Sequence, residues 1–139
     1  MGKLDIKPIT IAGQTIKPGE KKQIRAVISK LPTRTEIEIP IIVRSSRKPG
    51  PTLLLMGGMH GDEINGVEIV RRIVSKGYNK PLIGTVICIP IFNVYGFLNF
   101  SRQVPDGKDV NRSFPGTKSG SLASQLAYHF RKEILPVID

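Results

Sequence analysis

A change of hydrophobic period near residue 50 constrains this chain more than any other feature. Upstream, Lys22–Leu31 alternates apolar and polar through Ile24, Ala26 and Ile28, and Thr35–Val43 alternates through Ile37, Ile39 and Ile41. A period of two with one wet face is the pattern of half-buried strands. Downstream, Thr52–Met56 is a continuous apolar run through Leu53, Leu54 and Leu55. Ile64, Val67, Val70, Ile73 and Val74 then recur at helical spacing, and Gly84–Phe92 is a second apolar run. Such runs are expected of strands buried on both faces. Strand, helix and strand in about forty residues predict a βαβ crossover with parallel strands. The expected class is α/β: a mixed or parallel sheet with flanking helices, preceded by a small antiparallel β extension.

Turn residues divide the chain further. Ala12-Gly13 separates residues 3–11 from 14–16, Pro18-Gly19 marks a turn, and Ser45–Pro51 is a polar turn rich in Gly and Pro. Residues 1–46 are therefore read as the β-rich extension and 47–139 as the unit that carries chemistry. Gly77 is expected to end the first helix, whose stretch runs from Asp62 to about Ser75. Asn93–Thr117 reads as one long loop, and long loops inside small domains are usually functional. A last helix is expected from Leu122 to Leu135, ended by Pro136. Val137-Ile138-Asp139 resembles the opening of another strand, so the sheet is expected to be incomplete and the chain to be part of a longer protein. An unpaired sheet edge would then favour self-association into a homo-oligomer.

Composition narrows the function classes. A length of 139 residues fits one domain, and 40% hydrophobic with 23% charged residues argues against disorder. No apolar run approaches the roughly 20 residues of a membrane span. The N-terminus, Met-Gly-Lys-Leu-Asp-Ile, has no signal-peptide core, and Ile6 stands where a myristoylation signal needs Ser or Thr. Cys88 is the single cysteine, which excludes an intramolecular disulfide and a zinc site of several thiolates. It lies in an apolar run and is read as an inert packing residue. A cytoplasmic location is expected. The net charge is +10, and residues 1–50 hold 11 basic against 4 acidic residues. Those fifty residues contain no aromatic side chain, so no base-stacking platform is available there, and nucleic acid is not the expected partner.

Ligand sites in open α/β sheets lie beyond the carboxyl ends of the strands. Gly57-Gly58-Met59-His60-Gly61-Asp62-Glu63 is placed there. It matches neither phosphate-loop pattern, and Asp62 and Glu63 at the helix start would repel a phosphate. His60 and Glu63, three residues apart across the turn, can converge on one metal ion, because zinc takes imidazole nitrogen and carboxylate oxygen. The other reading is a helix-capping acid beside an ordinary histidine. A second cluster runs from Arg102 to Gly116. Arg112 offers a planar fork for a carboxylate, Asn111 can add a hydrogen bond, and Arg102 can polarise a carbonyl. Asp109 can fix the loop or hold an arginine. The plain alternative is a polar surface loop.

Taken together, Gly58-Met59-His60-Gly61-Asp62-Glu63-Ile64-Asn65-Gly66 and Asp109-Val110-Asn111-Arg112-Ser113-Phe114-Pro115-Gly116 resemble the succinylglutamate desuccinylase/aspartoacylase family, which belongs with the zinc carboxypeptidases. The resemblance covers most of residues 37–139, and residues 1–36 look like the β extension of some bacterial members. It implies a zinc-carboxypeptidase-like fold, with His60 and Glu63 as two ligands of one Zn2+ ion. It implies Asn111 and Arg112 as the pair binding the substrate carboxylate, and Arg102 as the arginine that polarises the scissile carbonyl. The implied reaction is hydrolysis of an amide in an N-acyl amino acid or peptide by metal-activated water. The family's third ligand is a His on a strand following the last helix here, and its general base Glu lies beyond. Neither is in this chain. His129 matches no family ligand and is expected to pack in its helix. The 139-residue chain alone is therefore expected to hold zinc weakly and to be inactive. A non-catalytic truncated member and a basic binding module are the competing readings.

Overall fold

The computed structural model describes residues 6–30 and 33–139. Of the segments expected from the sequence, residues 3–5 and Leu31 lie outside the described residues. Two short strands, β1 (Ile9–Ile11) and β2 (Gln14–Ile16), form an antiparallel hairpin. Its two turn residues, Ala12 and Gly13, both have positive φ (48° and 74°). That is the backbone of the tight turn whose twist matches a hairpin.

β3 (Lys21–Lys30) and β4 (Glu36–Ser45) pair antiparallel, as the alternation predicts. Ile24, Ala26 and Ile28 of β3 and Ile37, Ile39 and Ile41 of β4 are buried. β5 (Thr52–Met56), α1 (Ile64–Ser75) and β6 (Thr85–Ile89) form the βαβ unit, with β5 and β6 parallel. The parallel pair does not stand alone. β4 pairs antiparallel with β6 through Ile42–Ser45, giving one mixed sheet in the order β3-β4-β6-β5. The sheet thus runs across residue 46. Pro40 is tolerated in β4 because the β6 pairing begins only at Ile42, so its missing N–H breaks no ladder on that side.

One face of the sheet packs Ile24, Ile41, Val43, Ile87 and Ile89 against Phe92, Leu126 and Ile134. The other packs Ile42 and Cys88 against Val70 of α1. α1 ends in a Schellman turn: Tyr78 N donates to Ile73 O and Gly77 N to Val74 O, with Gly77 at φ 72°.

Three expectations are corrected. β5 is not buried on both faces: it is the edge of the sheet among the described residues, and Leu53 is 54% exposed. The long loop is interrupted by α2 (Val94–Leu98), capped by Asn93, and by a single 3-10 turn at Val110–Arg112. The last helix does not keep one winding to Leu135. α3 (Leu122–His129) passes into a π turn at Phe130–Ile134 and a 3-10 turn at Leu135–Val137, which accommodates Pro136 at its start. At the chain's end, Asp139 lies against the outer edge of β5: its N donates to Thr52 O at 3.1 Å, and its Oδ2 accepts from Thr52 N at 2.8 Å.

Candidate active site

The carboxyl ends of β5 and β6 are tied together before any functional side chain is placed. Gly57 N donates to Ile89 O, Phe92 N to Gly57 O, and Asn93 N to Gly58 O. Gly58 turns the chain at φ 64°. Gly61 has a different reason: a Cβ there would run into the Gly96 backbone of α2. Its smallness serves the packing of two backbones rather than room for a ligand.

This turn delivers His60 into the interior with its side chain 8% exposed. Its Nδ1 lies 3.2 Å from Glu63 Oε1, and its Nε2 lies 3.0 Å from Asp109 Oδ1. Glu63 is the N-cap residue of α1, yet its side chain makes no capping hydrogen bond. The carboxylate instead faces His60 and accepts from Arg102 Nη1 at 3.5 Å. Asp109 also accepts from Arg102 Nε at 3.3 Å and, as cap of the 3-10 turn, from Asn111 N at 2.9 Å. Burial would raise its pKa, but the hydrogen bonds from His60 and Asn111 N, with the charges of His60 and Arg102, outweigh that and hold the carboxyl below its ordinary range.

Of the residues expected at the site, His60, Glu63 and Arg102 therefore form one network, with Asp109 joining the loop to it. Asn111 and Arg112 lie on the same short turn, and their side chains are exposed. His129 is outside the cluster, its ring 5.7 Å from that of Tyr128 in an edge contact.

Sequence reasoning placed Asp109 in the loop but missed its contact with His60, which spans 49 residues. It missed Asn93 altogether. Asn93 is fully buried; its Oδ1 accepts from Gly96 N and its Nδ2 donates to Arg102 O at 3.4 Å. Its side chain fixes the backbone that carries Arg102. The available signal was an Asn placed directly after an apolar strand, where sites in such sheets lie.

The His60 contacts have a chemical consequence. A neutral imidazole has one N–H and one lone pair, so it can donate to only one of two flanking carboxylates. The other nitrogen then faces an oxygen lone pair unless a proton or a cation lies between them. Two donors bound at about 2.0–2.2 Å to a tetrahedral zinc stand roughly 3.3–3.6 Å apart, and the His60 Nδ1–Glu63 Oε1 separation of 3.2 Å needs to open only slightly to reach that range. These two residues fit a zinc ion as a pair. No group of three His, Cys, Asp or Glu that could hold a metal is present among the described residues.

A mixed α/β sheet with a histidine–carboxylate–arginine cluster at the ends of its parallel strands defines the class of this protein. The chain belongs to the succinylglutamate desuccinylase/aspartoacylase family, whose catalytic-domain model matches residues 49–139. It is 36% identical over 104 residues to an N-alpha-acetyl-L-2,4-diaminobutyric acid deacetylase of Halomonas elongata, a match covering 74% of this chain and 30% of that protein. An aspartoacylase family protein from Mesorhizobium loti has a similar structure, with TM-score 0.78 and 32% identity over 88% of this chain and 39% of its own. The product-bound ectoine utilization protein EutE (DoeB) from Ruegeria pomeroyi matches with TM-score 0.75 and 28% identity over 99% of this chain and 42% of its own. The chain thus spans well under half the length of these relatives.

Proposed function

We propose that this chain is the N-terminal part of a zinc-dependent deacylase that hydrolyses the amide of an N-acyl amino acid. An N-acetylated diamino acid is the favoured substrate class, by analogy with the Halomonas elongata relative. The observation that carries this reading is the His60 ring held between two carboxylates, with Nδ1 turned to Glu63 and Nε2 to Asp109. His60 and Glu63 would hold the ion. Zinc, when bound, supplies a Lewis acid that polarises a carbonyl and acidifies water. Asp109 accepts the Nε2 proton of His60, fixing the tautomer that leaves Nδ1 free as a ligand. Arg112 and Asn111, exposed on the 3-10 turn, bind the substrate carboxylate. Arg102, paired here with Glu63 and Asp109, turns its guanidinium to the oxygen of the scissile carbonyl. The third ligand and the general base fall outside this chain.

Zinc titration against a competing chelating dye tests this directly. The chain should bind one zinc ion weakly, and His60→Ala should abolish that binding. In the presence of zinc the chain should hydrolyse N-acetyl-diaminobutyrate no faster than buffer. Undiminished zinc binding by His60→Ala would overturn the ligand assignment. Robust turnover by this chain would show that the missing groups are not needed.

A further inference from the structure

The opposite end of the sheet holds a second concentration of charge. β5 and β6 run toward His60, so their first residues, Thr52 and Thr85, mark the far end. Beside it lies an open cavity of about 270 Å3 walled by Lys21, Arg44, Arg47 and Lys80. Lys21 and Arg44 are direct cross-strand partners in β3 and β4. Like charges at that spacing destabilise a sheet unless something neutralises them. Among the described residues none of the four cations forms an ion pair; the paired cations are Arg25, Lys30, His60, Arg71, Arg72 and Arg102. Glu20 also lines the cavity, but its carboxylate is committed to the turn, where Oε2 accepts from Lys17 N at 2.8 Å.

Arg44 is held by hydrogen bonds, and Arg47 packs on a neighbouring turn. Arg44 Nη1 donates to Gly77 O at 3.5 Å and to Oδ1 of Asn79 at 3.4 Å, and Asn79 is buried. Arg47 lies across the Pro18-Gly19 turn, where a Cβ on Gly19 would stand 2.9 Å from its Cγ and Nε. No aromatic side chain lines the cavity. It can therefore read charge and oxygen geometry but cannot stack a base.

We propose that this cavity binds a multiply charged phosphate-type oxyanion carried by a small molecule, at a site separate from the His60 cluster. Four cations against one committed carboxylate favour a ligand with at least two negative charges, and two guanidinium forks suit paired oxygens. The ligand would bridge β3, the end of β4 and the loop entering β6, so binding would stabilise the folded chain.

Calorimetric titration of the metal-free chain with pyrophosphate tests this, together with thermal melts against sodium chloride at equal ionic strength. Pyrophosphate should bind and raise the melting temperature beyond the chloride control. The double variant Arg47→Ala/Lys80→Ala should weaken binding at least tenfold, while His60→Ala should leave it unchanged. Lys21→Met should raise the melting temperature without ligand and reduce the gain from pyrophosphate. The proposal is overturned by equal shifts in chloride, by unweakened binding in the double variant, or by loss of binding in His60→Ala. Tighter binding of a single-stranded oligonucleotide that displaces pyrophosphate would assign the cavity to nucleic acid instead and overturn it equally.

Discussion

At the residue scale, Asp109 decides what His60 can do. Its Oδ1 lies 3.0 Å from His60 Nε2, and its Oδ2 accepts from Arg102. Partners that orient a metal-binding histidine are worth on the order of 10–100-fold in metal affinity. Asp109→Asn keeps the shape but presents an amide, so its zinc affinity should fall by about that factor in a dye-competition titration. An unchanged affinity would confine Asp109 to holding its loop. The sequence placed His60, Glu63 and Arg102 as candidates through their motifs and through the position of His60 beyond a strand. It could not show that Asp109 completes the pairing, because the contact joins two loops across 49 residues. Asn93 was hidden for a related reason: it acts through backbone groups, which leave no motif.

At the element scale, strands with one wet face were the most legible, since alternation in β3 and β4 reports directly which side is buried. β5 was misread because a run of leucines does not say whether a neighbour covers both faces. α2 was missed because five residues are too few for a helical period to register. Two glycines separate local preference from packing. Gly66 sits in the first turn of α1, where a Cβ would make only ordinary van der Waals contacts, the nearest 3.6 Å away at Gly57 Cα. Gly66→Ala should therefore stabilise the chain by up to about 1 kcal/mol, the upper limit being the value for a helix interior. Gly61→Ala meets the Gly96 backbone. Overpacking of that kind costs about 1–3 kcal/mol and sometimes more, so its urea midpoint should fall. A Gly61→Ala variant as stable as the parent would show that α2 can move away freely.

At the scale of the whole molecule, Cys88 reports on the sheet. It is fully buried between Ile42 and Leu55 on the neighbouring strands and packs against Val70 of α1. Burial pushes its thiol pKa up, with a weaker opposing contribution from Asn79. At pH 8 a thiol reagent should therefore label the folded chain only as fast as the sheet opens, and urea should speed labelling in step with unfolding. A raised folded-state pKa contributes stability that is complete below the unfolded thiol's value. That contribution is lost as pH rises through the folded value, so the chain should weaken above about pH 9. Fast labelling without denaturant would contradict the closed packing of α1 on the sheet.

The sequence by itself determined the period-two strands, the βαβ unit, the helix stop at Gly77 and the family motifs. Each of these depends on residues close together along the chain. Only the tertiary structure decided that β4 joins the sheet through β6, that β5 lies at its edge, and that His60 stands between Glu63 and Asp109. Strand order and loop-to-loop contacts depend on which distant surfaces meet. Burial and hydrogen bonding settle that for the chain as a whole, and no local pattern records it.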